Sequence, residues 1–405
     1  MNKKCFKKDN RISKILISIL VTVFFLISNL TTSTAVLAQD PGPPKPKEWK
    51  GKGTKIEFQS IPVITMKDFL EGKVPEKTKT ISGTLNFPAK APDKNVPVVV
   101  IMHGGGVQFG GGISIWEEHW MKVFNRMGLA TFMVDSNWGR RKCNKTFKKA
   151  IPNCNDIHKG ITRIVDGYRA LELLSKHPRI DPSRIGCLGI SLGARGCLYL
   201  NVKRFQKMWG TPGLDYAASV PLYPPCNVIF KEDDEITDTP IRIHVGELDT
   251  FFPADSCVNY VERLRAKGKD VEVKVYPNAH HGFDAKMVFR GGKTKSTSKD
   301  YGYGICYLEE NTDSSVLNEE NLGEGFHQII TQVGFKEWLA SAKEKEKKKL
   351  FNWLKKGNKR GFFDPFIVFD NKNCVTKTST IGYNKKAAKE AEQLIKDFLI
   401  TTFKL

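Results

Sequence analysis

The pentapeptide Gly189-Ile190-Ser191-Leu192-Gly193 constrains this chain more than any other feature. It follows the apolar stretch Arg184-Ile185-Gly186-Cys187-Leu188 and opens a segment, Ala194 to Val202, of helical composition. Strand, tight turn with serine at its tip, then helix is the arrangement of a nucleophile elbow. A serine in that strained turn leaves no room for side chains two residues away on either side, hence glycine at both places. The pattern is short, so the rest of the chain must supply a matching sheet and partners for the hydroxyl.

The sheet is legible as apolar runs. Val96 to Met102 is nearly continuous and suits a strand buried on both faces, with Pro97 tolerated near its start. Ala130 to Val134, Ile185 to Ile190, Asp215 to Leu222, Ile241 to Val245 and the alternating, edge-proximal Val271 to Tyr276 continue the series. Helical stretches alternate with them. Trp116 to Met127 is one, and Ile157 to Lys176 is another, with Ile161, Ile164, Val165, Tyr168, Leu171 and Leu174 as an apolar stripe. Val258 to Lys267 is a third. Alternation of this kind predicts an α/β fold: a mostly parallel sheet of about eight strands with helices on both faces. A final helix, Lys385 to Phe403, turns Ala388, Ala391, Leu394, Ile395, Phe398 and Leu399 to one side for docking on the sheet.

An elbow serine needs a base, an acid to orient the base, and donors for the developing oxyanion. The first buried strand runs into His103-Gly104-Gly105-Gly106, where backbone N–H groups can point inward. Gly104 and Gly105 are therefore candidate oxyanion donors, with the Leu192 N–H as the other. Strand Ile241 to Val245 runs into Gly246-Glu247-Leu248-Asp249. Asp249 is the candidate acid, being further into the turn, and Glu247 is the alternative. Either carboxylate also suits a helix cap. The last strand leads into Pro277-Asn278-Ala279-His280-His281-Gly282-Phe283-Asp284. His281 is the candidate base, since Gly282 allows a sharp loop to present it, and His280 is read as a neighbour or surface residue. The chain order Ser191, Asp249, His281 is that of an α/β-hydrolase fold. No metal or organic cofactor is implied.

The first residues read as a secretory signal over 1–38. Lys3, Lys4, Lys7, Lys8, Arg11 and Lys14 precede the apolar run Ile15 to Leu30, and Val36-Leu37-Ala38 precedes Gln39. An uncleaved N-terminal membrane anchor is the alternative. Proline-rich residues 39–52 read as a linker to a hydrolase domain over 53–405. The expected location is periplasmic or secreted. The net charge of +21 leaves about +16 once the signal is removed. Much of that excess falls in a polar, lysine-rich insertion over 285–380. It is either a solvated face or a surface for anionic lipid headgroups and other envelope polyanions. No aromatic residues interleave with these lysines, so nucleic acid is not an expected partner.

Of nine cysteines, eight follow the signal, an even number that suits disulfides in an exported chain. Cys143 and Cys154 flank a short basic loop and are positioned to close it. Cys187 and Cys197 flank the elbow and are read as small buried hydrophobes.

Together, His103-Gly104-Gly105-Gly106, Gly189-Ile190-Ser191-Leu192-Gly193, Gly246-Glu247-Leu248-Asp249 and Tyr276 to Asp284 resemble the dienelactone hydrolase family of α/β-hydrolases. The resemblance runs from about Lys79 to Asp284 and resumes at Thr380 with the final helix. Asp135-Ser136 with Gly139-Arg140, and Tyr223-Pro224-Pro225-Cys226 with Cys257, look like an exported branch of that family. The resemblance implies that Cys226 and Cys257 lie close together, and Cys306 with Cys374 is a further candidate pair. Its type member uses a cysteine nucleophile, whereas this chain has Ser191, which favours a general carboxylic ester hydrolase. The expected substrate is a small ester or lactone. An amidase or peptidase would use the same triad, and a non-catalytic polyanion-binding protein is the alternative outside enzymes.

Overall fold

The computed structural model describes residues 53–62, 66–104, 115–136, 140, 159–286, 293–296, 308–310, 328–330, 344–345 and 379–405. The expected signal and linker, Gly105, Cys143, Cys154, Cys306, Cys374 and most of residues 285–380 lie outside them.

Eight strands form the main sheet, in the order β1-β2-β4-β3-β5-β6-β8-β9. They are β1 (Thr54–Ser60), β2 (Lys79–Asn86), β3 (Val96–Met102), β4 (Ala130–Asp135), β5 (Ile180–Ile190), β6 (Ala218–Leu222), β8 (Ile241–Gly246) and β9 (Val271–Tyr276). From β4 to β9 every neighbouring pair is parallel. At the other edge β1 pairs antiparallel with β2, and β2 antiparallel with β4. These two strands were not anticipated. They mix polar residues with apolar ones, β1 burying alternate residues and β2 burying Ser82 and Gly83 beside Ile81, so they lack the apolar runs that mark the central strands.

Side-chain alternation sends each central strand into two cores. Val98, Val100 and Met102 join one core, with α3 (Lys159–Ser175), α4 (Leu192–Tyr199), α5 (Lys203–Trp209), α6 (Ala254–Ala266) and the short α1 (Met66–Leu70). Val99 and Ile101 join the other, beneath α2 (Ile115–Arg126) and α7 (Lys385–Phe403). The α7 stripe buries Ala387, Ala391, Ile395, Leu399 and Phe403, while Leu394 stays exposed.

Parts of the insertion pair back onto this body. Strand β10 (Lys293–Ser296) forms an antiparallel ribbon with β13 (Ser379–Gly382). The short β7 (Val228–Ile229) pairs in parallel with β11 (Leu308–Glu310), which pairs antiparallel with β12 (Gln328–Ile330). Among the described residues no helix is long and apolar enough to cross a membrane.

Two disulfides join described residues. Cys226 joins Cys257 with Cα atoms 4.9 Å apart. Cys187 joins Cys197 with Cα atoms 5.8 Å apart, which corrects the reading of that pair as two separate hydrophobes. Both are fully buried, but the sharp reversal at the elbow brings strand β5 and helix α4 face to face, and proximity in space is not visible in their spacing.

Candidate active site

The elbow sits where β5 ends and α4 begins. Ser191 has φ 54° and ψ −113°, a region L-residues rarely occupy. The flanking glycines are sterically required. A Cβ on Gly189 would lie 2.6 Å from Ala194 Cα, and one on Gly193 would strike Met102 and lie 2.7 Å from His103 O.

His281 lies between the other two candidates. Its Nδ1 is 2.8 Å from Asp249 Oδ2 and its Nε2 is 3.0 Å from Ser191 Oγ. With Nδ1–H donating to the carboxylate, Nε2 is left as an acceptor for the serine hydroxyl. Asp249 is buried, and its other oxygen accepts from the N–H groups of Phe251 (2.8 Å) and Phe252 (3.0 Å). Three side chains of distant sequence position thus form one connected line.

The remaining candidates go elsewhere. Glu247 is exposed and accepts from the Asn278 N–H at 2.8 Å. His280 turns its Nδ1 to Leu248 O at 3.0 Å.

Backbone from after the insertion anchors the histidine loop. Gly382 N–H donates to His281 O at 3.1 Å, and Asn384 N–H donates to Phe283 O at 2.9 Å. Thr380 N–H donates to Thr250 Oγ1 at 3.2 Å, reaching the acid's loop as well. Aromatic rings surround the imidazole: Tyr223 at 4.6 Å between centroids, Phe251 at 4.9 Å and Phe252 at 5.4 Å.

Of the expected oxyanion donors, Leu192 begins α4, where the first N–H groups of a helix have no intrahelical acceptor. Gly104 lies at the end of β3 beside the nucleophile, where a Cβ on it would lie 3.6 Å from Ser191 Cβ.

Two buried acids escaped the sequence reading. Asp284 accepts from Trp116 Nε1, Trp120 Nε1 and the Tyr223 hydroxyl, each at 2.9 Å. The signal was there, since Trp116 and Trp120 stand four apart on one helix face. Glu117 lies beside them. Burial raises its pKa to about 7, aided by the nearby Asp284 and opposed by the N–H groups of Glu117 and Gly104 and by Arg163. Arg163 is itself buried, which lowers its pKa to about 10. Burial, then Asp284, holds the Tyr223 hydroxyl well above its ordinary range. Among the described residues no group of His, Cys, Asp or Glu is arranged to hold a metal ion.

A mostly parallel sheet of this order, with an elbow serine at the carboxyl end of β5, defines an α/β-hydrolase. The chain matches the model of the dienelactone hydrolase family over residues 81–300 and belongs to that family. By class it is a hydrolase of carboxylic esters. No curated protein matches it in sequence. Among solved structures, it is similar to a thermophilic esterase of the planctomycete Thermogutta terrifontis with propionate bound, at 18% identity and a TM-score of 0.37, over 50% of this chain and 80% of that one. The same organism's esterase 2 phosphorylated by paraoxon is similar at 17% identity and a TM-score of 0.38, again over 50% and 80%.

Proposed function

We propose that this protein is an exported serine esterase working through an acyl-enzyme. Ser191 Oγ attacks the carbonyl carbon of a small ester or lactone while His281 Nε2 takes its proton. Asp249 holds the imidazole in the required tautomer and stabilises the cation that forms. The Leu192 N–H is one donor to the oxyanion, and the second comes from the Gly104-Gly105 turn. His281 then protonates the leaving alcohol, and a water activated by the same imidazole releases the acid.

The observation that carries the reading is the position of His281, within hydrogen-bond reach of both Ser191 Oγ and Asp249 Oδ2. Export is supported by the signal-like N-terminus and by two buried disulfides, which persist in oxidising compartments. The test is a panel of ester, thioester and amide substrates with fluorophosphonate labelling, run on wild type beside Ser191→Ala. Labelling and ester turnover that both vanish in the variant are the expected result. Turnover unchanged by Ser191→Ala would sink the proposal.

A further inference from the structure

The two disulfides stand differently toward the chemistry. Cys226–Cys257 joins the loop after β6 to α6. Cys187–Cys197 spans the elbow itself. One sulfur hangs from β5 before Ser191 and the other from α4 after it, with a sequence separation of 10. Their Cα separation of 5.8 Å is that of an ordinary bridged pair. Both side chains are buried, at 1% and 0% exposure.

Between the two sulfurs lies the strained backbone of Ser191, at φ 54° and ψ −113°. A residue keeps such dihedrals only where its surroundings over-determine them. Two backbone hydrogen bonds act on the tip: Ser191 N–H donates to Leu222 O at 3.0 Å, and Arg195 N–H donates to Ser191 O at 3.2 Å. The remaining constraints act on the arms. β5 is locked in the sheet, with Cys187 in register with Val100 on β3 and Ser219 on β6.

The helical arm needs more. α4 meets the end of β3 through glycines, and a Cβ on Gly196 would lie 2.9 Å from Met102 Sδ. That contact forbids closer approach. It does not by itself stop α4 from sliding along the sheet, because glycine presents no side chain to interlock. A slide would let the Ser191 dihedrals relax and carry Oγ away from His281 Nε2, which lies 3.0 Å off. Cys197 is where α4 is tied down. Its sulfur is bonded to Cys187, and its carbonyl accepts from Ser219 Oγ, on the neighbouring strand, at 2.6 Å. Among the described residues the bridge is the one covalent link between α4 and the sheet.

We propose that the Cys187–Cys197 disulfide positions the nucleophile, holding the two arms of the elbow so that Ser191 Oγ stays in line with His281 Nε2. The inference rests on the triad reading above. The bridge touches neither substrate nor reacting atoms, and it adds no covalent step to the reaction. It sets the geometry from which attack begins, and a misplacement of about 1 Å there can cost about a hundredfold in rate. Losing it therefore lowers kcat and leaves KM in place.

The experiment measures kcat and KM of the full chain with a short-chain aryl ester. Wild type is compared with Cys187→Ala/Cys197→Ala, with Cys187→Val/Cys197→Ala, which keeps the combined side-chain volume, and with Cys226→Ala/Cys257→Ala and Ser191→Ala. Rates of the cysteine variants are divided by the sites that a fluorophosphonate titrates, so unfolded chains do not count. Both elbow variants are expected to lose about tenfold to a hundredfold in kcat per site, with KM within about twofold. Cys226→Ala/Cys257→Ala opens a longer loop, of separation 31, and is expected to keep the wild-type kcat per site. An unchanged kcat per site in the elbow variants would overturn the inference, since lost stability reduces the number of sites and not the rate of each. An equal fall in Cys226→Ala/Cys257→Ala would overturn it too. A further measurement needs no variant to fold: wild type is unfolded without reductant, alkylated and mapped by mass. Cys187 and Cys197 are expected to stay unmodified, and alkylation of either would remove the brace. Retained turnover in Ser191→Ala strikes at the triad reading instead, which keeps the two failures apart.

Discussion

Tyr223 donates its hydroxyl to Asp284 at 2.9 Å while its ring stands edge-on to His281, 4.6 Å between centroids. One side chain therefore joins the loop after β6 to the loop that carries the base. It does so from a left-handed backbone, φ 42°, fixed by its N–H donating to His244 O at 2.6 Å. Tyr223→Phe keeps the ring and deletes one donor to a buried carboxylate. Its expected cost is about 1–3 kcal/mol of stability, with kcat little changed. Tyr223→Leu also removes the ring, and kcat is expected to fall with it. Denaturant melts beside ester kinetics separate the two effects.

Asp249→Asn tests the orientation of the imidazole. An amide in that position presents either a donor or a neutral oxygen to Nδ1, and the wrong tautomer then leaves Ser191 without a base. A fall in kcat of about 10⁴-fold is expected, with binding of a substrate analogue retained. Glu247→Gln, aimed at an exposed carboxylate bonded to Asn278, is expected to leave kcat within experimental scatter.

Glu117 makes stability depend on pH. Its folded-state pKa of about 7 lies above the ordinary 4.5. Stability from this group is therefore full below 4.5 and is lost as pH rises through about 7. The gap corresponds to about 3 kcal/mol above neutrality. Glu117→Gln is expected to be more stable than wild type at about pH 8, with the advantage gone near pH 4.5. Thermal melts at the two pH values measure it, and an advantage independent of pH would contradict it.

The Cys226–Cys257 bridge closes a loop of sequence separation 31. Cross-linking a loop of that length stabilises by about 3–4 kcal/mol through the unfolded chain. The double variant Cys226→Ala/Cys257→Ala is expected to lose an amount of that order in chemical denaturation. Ester turnover at low temperature should survive, because neither cysteine touches the triad.

What was legible in the sequence followed from strong local signals. The central strands are apolar because they are covered on both faces, and the first elbow glycine, Gly189, is forced by Ala194 a few residues on, while Gly193 is forced by the end of β3. The candidate triad was legible because each member ends or follows a recognisable strand. What escaped depends on distant chain. Glu117 is buried on α2, which follows β3 and the glycine-rich stretch, and nothing in its own neighbourhood of the sequence marks it as buried. Asp284 stood in a motif already noticed, but its partners come from α2 and from Tyr223. The edge strands β1 and β2 escaped for another reason: both interleave polar residues or glycine with apolar ones and carry no apolar run. Gly83 even opens one of them to the Phe132 ring, where a Cβ would lie 2.6 Å from Phe132 Cε2.

The ribbon of β10 and β13 pairs Lys293 with Gly382 and Ser296 with Ser379. The chain between Ser296 and Ser379 departs and returns side by side at this ribbon, and within it β11 is tied to β7. Its length is uncoupled from the backbone bonds that secure His281, which begin only at Gly382. A lineage, or an engineer, can change the excursion's length on either side of β11 and β12 without relaying the catalytic loops. The strand that closes it is not exchangeable in the same way, because it carries the contacts to the loops of both the acid and the base.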